Sequence, residues 1–251
     1  MDLGIAGKVA LVTGGTRGIG LAIARALAAE GARVAVAART TDDVQKVAAE
    51  LEGHGVAADL TTDSGCSQAL NGTRAALGPI AILVNNLGLR AGSSWEDTGP
   101  AEIERAMAGN LLPAVRLSQA VLPEMEGARW GRIVVLSSLF GREAGGAPAY
   151  NAAKAAENSF VTSLGRSVGG RGVTVNAVAP GSILFEGGSW WRRRREDPES
   201  IDQFVRRELP LGRFGTPEEV AAVVAFLCST GASLVNSAVI AVDGGQGRSL
   251  T

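Results

Sequence analysis

The 251-residue sequence predicts one doubly wound α/β domain, a seven-stranded parallel sheet with helices on both faces. Three observations carry that expectation. Short β-branched apolar runs alternate with longer helical stretches, which implies right-handed βαβ units. The strand-like runs hold few charges, as strands covered on both faces do. No internal repeat and no Ser/Pro-rich linker divides the chain, so the domain is expected to span residues 1–251.

The elements follow in order. Val9–Val12 reads as the first strand and Ile19–Ala29 as the helix after it. Val34–Ala37 is a strand, Asp42–Leu51 a helix, Val56–Ala58 a short strand, and Ser64–Ala76 a helix. Ile80–Val84 is the fourth strand, followed by a long helical stretch over Pro100–Met125. Ile133–Leu136 is a strand, Pro148–Ser167 a helix and Val173–Val178 a strand, after which a long irregular stretch is expected. Thr216–Cys228 reads as a helix with Thr216 as N-cap and Pro217 at its first position. Val239–Val242 closes the sheet.

Composition excludes several function classes. With 46% hydrophobic and 20% charged residues the chain can bury a large core, which rules out disorder as its main state. Lys+Arg 24 against Asp+Glu 25 leaves a net charge of −1, so no global charge points to nucleic acid or an anionic membrane. There is one histidine, His54, and there are two cysteines, Cys66 and Cys228, far apart in sequence. A zinc site needs three or four such ligands together, so no metal is expected. The sequence allows a disulfide but nothing in it favours one. Met1–Lys8 has neither the basic nor the apolar region of a signal peptide, and the longest apolar run, Val220–Cys228, is far short of a membrane span. The expected location is the reducing cytoplasm.

The first strand runs into Thr13-Gly14-Gly15-Thr16-Arg17-Gly18-Ile19-Gly20, which opens directly into a helix. Gly14, Gly18 and Gly20 let the backbone turn tightly and approach a pyrophosphate, while the helix N-terminus offers free N–H groups and a positive dipole end. A plain Gly-rich turn is the competing reading, and the position between strand and helix argues against it. At the end of the second strand stands Val36-Ala37-Ala38-Arg39-Thr40. The acid that NAD-specific sites place there is absent. Arg39 and Arg17 suit a 2′-phosphate, which guanidiniums grip bidentately, although Arg39 alone also reads as a solvated loop residue. The expected cofactor is NADP(H).

Tyr150 is the single tyrosine, and Lys154 lies four residues later, on the same helical face. An ammonium beside a phenol favours the phenolate and makes Tyr150 a usable general acid and base. Taken alone, the pair also reads as two surface residues. In one order the chain carries the Gly-rich turn, Asn85-Asn86-Leu87-Gly88, Ser137-Ser138, Tyr150-x-x-x-Lys154 and Pro180-Gly181, and it ends in Val242-Asp243-Gly244-Gly245. From about Gly7 to Gly245 this resembles the short-chain dehydrogenase/reductase family, whose domain is of the Rossmann type.

The resemblance implies roles. Tyr150 would exchange the proton at the substrate oxygen, and Lys154 would bind the nicotinamide ribose and lower the Tyr150 pKa. A serine would bond the substrate oxygen, and Asn110 would support a proton relay through water. The turn residues Gly14, Thr16, Arg17, Gly18, Ile19 and Gly20 would hold the cofactor, with Arg39 and Thr40. Asp59 and Leu60 would contact adenine, Asn86 and Gly88 would flank the cofactor, and Pro180, Gly181 and Ile183 would lie beside the nicotinamide. Ser138 stands in the family's Ser-x-x-Gly register and is the chosen serine. Ser137 has the more usual separation from Tyr150. On a strand the two point to opposite faces, so one can serve.

Three positions depart from the family's pattern. Leu87 replaces an alanine, Phe185 stands where a threonine would bond the carboxamide, and Ser237 stands where glycine is common. Gly165-Arg166-Ser167-Val168-Gly169 matches a hydrolase pattern but ends a helix, so it reads as chance. His54 reads as a solvated turn residue. Trp190-Trp191-Arg192-Arg193-Arg194-Arg195 reads either as a solvated helix start or subunit contact, or as part of a substrate lid over about 182–212 hinged at Gly187-Gly188. The expected function is NADP(H)-dependent hydride transfer between nicotinamide and a ketone or secondary alcohol, with a 3-oxoacyl thioester first and a small cyclic, steroid-like or xenobiotic ketone second. A non-catalytic NADP(H)-binding regulator is the competing class. The resemblance also implies a homotetramer, or else a dimer.

Overall fold

The computed structural model describes residues 2–249. Seven parallel strands form one sheet: β1 Val9–Thr13, β2 Arg33–Ala38, β3 His54–Ala57, β4 Ile80–Asn85, β5 Gly131–Leu136, β6 Val173–Pro180 and β7 Val239–Val242. Their order is β3-β2-β1-β4-β5-β6-β7. The winding reverses between β1 and β4, and in such sheets the crevice at the carboxyl ends of those two strands is where ligands bind. The helices are α1 Gly18–Ala29, α2 Thr41–Glu50, α3 Asp63–Leu77, α4 Pro100–Gly109, α5 Leu111–Gly127, α6 Pro148–Val168, α7 Ser189–Glu196, α8 Pro198–Glu208 and α9 Pro217–Cys228.

The two faces of the sheet bury separate cores because side chains alternate along each strand. From β1, Ala10 and Val12 pack with Ile23 and Leu27 of α1, Val44 of α2 and Val224 of α9. Val9 and Leu11 point the other way, against Leu70 of α3, Val121 of α5 and Val161 of α6. Leu11 is paired with Ala35 on one side and Leu83 on the other and is wholly buried. Burial of such a side chain stabilises the fold by about 1.5–3 kcal/mol. Cys66 and Cys228 are free thiols in opposite cores.

Three expectations need correction. The helical stretch over Pro100–Met125 is divided into two helices, α4 and α5, which meet at Asn110, where φ −122° and ψ −68° break the helical path. The short third strand runs over His54–Ala57 rather than Val56–Ala58, so His54 pairs with Ala35 in the sheet instead of sitting in the turn. The stretch after β6 is not irregular but holds α7 and α8. Asp197 caps α8 by accepting from Ser200 N–H at 3.0 Å, and Pro198 opens it. Ile201 and Phe204 place an apolar face on Trp190 and Phe214, making a small separate core. The Trp190 ring lies 4.5 Å from that of Phe204 and 5.2 Å from that of Phe214. The Arg192–Arg195 run stands in solvent on α7.

Candidate active site

The Gly-rich turn joins β1 to α1 at the switch point. Gly14 has φ +59°, in the left-handed region where a side chain is costly. A Cβ on Gly20 would lie 2.2 Å from the Gly14 carbonyl oxygen, so only glycine lets α1 start this close to the turn. Asn86, just past β4, fastens the turn from the other side. Its Nδ2 donates to the Thr13 and Gly14 carbonyls, both at 3.2 Å, and its N–H donates to Thr13 Oγ1 at 2.8 Å. Arg17 is the N-cap residue of α1, and no side chain caps the helix. Its first N–H groups are therefore available to an anion.

That turn borders a cleft of about 470 Å³. Gly14, Thr16, Arg17 and Ile19 line one wall; Arg39 and Thr40 line the outer end. Asp59, Leu60, Asn86 and Gly88 line the cleft as well. Gly18 and Gly20 sit behind this surface and serve by close packing. Hydrogen bonds from Thr61 hold the Asp59 carboxyl below the usual carboxylate range, and the Arg39 charge adds to the effect. An uncapped helix end, two guanidiniums and an ionised acid in one elongated cleft fit the pyrophosphate, 2′-phosphate and polar edges of NADP(H).

Ile19, Asn86, Leu87, Gly88 and Phe185 are shared with a second cavity of about 270 Å³. Ser137, Ser138, Tyr150 and Lys154 face it, with Pro180, Gly181 and Ile183 along the far edge. Helix α6 supplies Tyr150 in its first turn, after Pro148 at the helix start, and Lys154 one turn later. Lys154 is only 1% exposed. Its Nζ lies 5.6 Å from the Tyr150 ring centroid and donates to the main-chain carbonyls of Leu136 at 2.8 Å and Leu87 at 3.1 Å. The Ser137 hydroxyl donates to the Lys154 carbonyl at 3.2 Å. The Ser138 oxygen instead accepts from Phe140 N–H at 3.1 Å, which leaves its proton to be donated.

Residues 14–246 match the family described as Enoyl-(Acyl carrier protein) reductase. A 3-oxoacyl-(acyl-carrier-protein) reductase of Pseudomonas aeruginosa is 40% identical over 97% of this chain and 99% of its own. The chain belongs to the short-chain dehydrogenase/reductase family. Among solved structures, L-sorbose reductase of Gluconobacter frateurii complexed with NADPH and L-sorbose superposes with a TM-score of 0.93 at 30% identity, covering 100% of both chains. A 3-oxoacyl (acyl-carrier-protein) reductase of Agrobacterium tumefaciens with NADP bound has a TM-score of 0.91 at 32% identity, over 97% of this chain and 96% of that one.

Within this short-chain dehydrogenase/reductase, Asn110 does not line either cavity. Its side chain is spent at the α4–α5 junction. Nδ2 donates to the Leu89 carbonyl at 2.9 Å and the Ala106 carbonyl at 2.6 Å, while Oδ1 accepts from Leu89 N–H at 3.2 Å. This clamp fixes the strand-end loop that carries Leu89 and Arg90. The Arg90 guanidinium stands 5.5 Å from the Tyr150 ring centroid on the wall of the cavity, which Trp190 also lines.

Sequence reasoning missed Arg90 and Glu157. Arg90 carries no signal beyond following Asn85-Asn86-Leu87-Gly88. Glu157 had one, a charge three residues after Lys154 on the buried face of α6. The hydrolase-like Gly165–Gly169 segment ends α6, with no strand before it, as its placement had implied. Among the described residues no group of His, Cys, Asp and Glu gathers to hold a metal, and no helix is long and apolar enough to cross a membrane.

Proposed function

We propose that the protein is an NADP(H)-dependent reductase that converts a ketone to a secondary alcohol, and the reverse, most like a 3-oxoacyl thioester reductase. The observation that carries this is two cavities with a shared border at Ile19, Asn86, Leu87, Gly88 and Phe185: the Gly-rich turn with Arg17 and Arg39 lines one, and Tyr150, Lys154 and Ser138 line the other. When bound, the cofactor supplies hydride to the carbonyl carbon or accepts it from the alcohol. Ser138 donates to the substrate oxygen and orients it. Tyr150 gives the proton that this oxygen needs as the carbonyl becomes an alcohol, and takes it back in the reverse direction. Lys154 holds the ribose and places its ammonium beside the Tyr150 ring. Asn110 serves by clamping the Leu89–Arg90 loop.

The 3-oxoacyl reductase relative supports the thioester substrate. The fit to L-sorbose reductase supports a second reading, a small free ketone. Loss of NADPH absorbance with acetoacetyl-CoA, an enoyl thioester and a panel of free ketones separates these. Turnover of the oxo-thioester is expected, slower by about 10²–10⁴ in Tyr150→Phe while NADPH still binds. Turnover of free ketones alone would select the second reading. Turnover of the enoyl substrate alone would overturn both. No turnover in any arm would select an NADP(H)-binding regulator. NADH in parallel tests Arg17 and Arg39: a preference for NADH would overturn their assignment. The segment 182–212 acts as a substrate lid, with Trp190 on the cavity wall. The family resemblance also supports a cytoplasmic homotetramer, which light scattering on the purified chain tests.

A further inference from the structure

Lys154 is not alone in the interior. Glu157, one helical turn further along α6, is likewise 1% exposed. Its two carboxylate oxygens accept from Lys154 Nζ at 2.9 and 3.1 Å. The main-chain carbonyls of Leu136 and Leu87 accept from the same ammonium. Nothing in the proposed hydride and proton transfer uses this carboxylate. A buried ion pair is seldom kept for stability, since apolar residues of similar size do as well or better.

We infer that Glu157 is a positioning residue for Lys154, and that it sets how strongly the ammonium acts on Tyr150. The carboxylate draws Nζ to a fixed point between the ends of β4 and β5. It also offsets the ammonium charge at 2.9 Å, so the phenol feels a compact ion pair rather than a lone cation. Burial pushes the Glu157 carboxyl up to about 6, against the pull of Lys154. Lys154 is the charged group that acts on it among the described residues. Around Nζ the ends of β4 and β5 present main-chain carbonyls, and Arg90 faces the Tyr150 ring from the loop after β4. The proposal rests on the assignment of Tyr150 as the proton-transfer group, but its test does not.

Tyr150 is the only tyrosine, so the near-ultraviolet tyrosinate absorbance of the intact protein reports that residue alone. In Glu157→Gln the midpoint of this titration is expected to fall by about one pH unit, since an uncompensated charge within reach of an ionisable group shifts it by about 1–3 units. Glu157→Leu, which suits the apolar surroundings and guards against misfolding of the first variant, is expected to show the same fall. In a Lys154→Met background the Gln substitution is expected to move nothing, because the effect passes through the ammonium. The alkaline limb of kcat for ketone reduction is expected to move with the absorbance midpoint. An unchanged midpoint in folded Glu157→Gln and Glu157→Leu, or an equal shift without Lys154, overturns the proposal. Absence of ketone turnover with the shift intact overturns the catalytic assignment instead and leaves the Glu157–Lys154–Tyr150 coupling standing.

Discussion

The ring of Phe185 lies on Gly18: a Cβ added to that glycine would fall 2.6 Å from the ring. Gly18 opens α1 with φ +53°, and Phe185 borders both the cofactor cleft and the catalytic cavity. The ring therefore lies where the two cavities meet, on the path of a dinucleotide that would span both. Displacing it gives up apolar contact on the order of 1 kcal/mol. In Phe185→Thr the NADPH Kd is expected to fall about fivefold, the change that roughly 1 kcal/mol produces. A fluorescence titration measures it. An unchanged or larger Kd would show that the ring stands clear of the bound cofactor.

Ser137 and Ser138 are adjacent and face one cavity, yet their bonds divide the work. Ser137 donates to the Lys154 carbonyl and ties β5 to α6; Ser138 keeps its proton for a ligand. Ser138→Ala is expected to lower kcat by about 10²-fold, as loss of an oxyanion donor does, with little change in Tm. Ser137→Ala is expected to cost about 1 kcal/mol of stability, the worth of one buried hydrogen bond, and to spare most of kcat. The two variants exchanging these effects would reassign the serine.

Most strands were legible because they are buried along their length and hold few charges, and α1 and α9 because their caps or flanking glycines are written in the chain. Helices α7 and α8 were not. Four consecutive arginines mask any apolar period in α7, and the partners of Trp190 lie 14 and 24 residues on, at Phe204 and Phe214, where no local pattern connects them. Asp197-Pro198 was a readable helix start that the irregular reading passed over. The break at Asn110 was hidden because α4 and α5 both continue an apolar pattern, and only the side-chain clamp on Leu89 explains it. Much of the lining of the larger cleft was readable because the Gly-rich turn and Arg39 follow directly on β1 and β2. Arg90 and Glu157 depend on how loops and helix faces meet in three dimensions.

Ser237 shows how a small departure acquires a physical meaning. Its φ is +60°, a conformation that glycine adopts freely and serine does not, and its buried hydroxyl has no hydrogen-bond partner. Left-handed backbone strain of about 1–2 kcal/mol is partly offset by the greater unfolded-chain entropy of glycine. Relief of the unpaired hydroxyl adds to the gain. Ser237→Gly is therefore expected to stabilise the fold by about 1 kcal/mol, raising Tm by about 2–4 °C for a chain of this size. Calorimetry decides it, and a lower Tm would mean that the hydroxyl has a partner in solution.

The start of α9 sets a pH dependence of defined sign. Glu219 accepts from Thr216 N–H at 2.8 Å and closes a capping box with the Thr216 side chain. Arg213 donates to both of its carboxylate oxygens, at 2.6 and 2.9 Å. The Arg213 bonds, then the Thr216 N–H, hold the Glu219 carboxyl down at about 2, below its ordinary 4.5. Between those values the unfolded chain binds more protons than the folded one, so stability rises with pH. The contribution is complete above 4.5 and is lost as pH falls to about 2. Glu219→Ala is expected to melt below the parent at neutral pH, and the gap should narrow below 4.5 and close toward 2. A gap that persists unchanged in acid would mean that α9 is held by packing on α1 rather than by this charged cap.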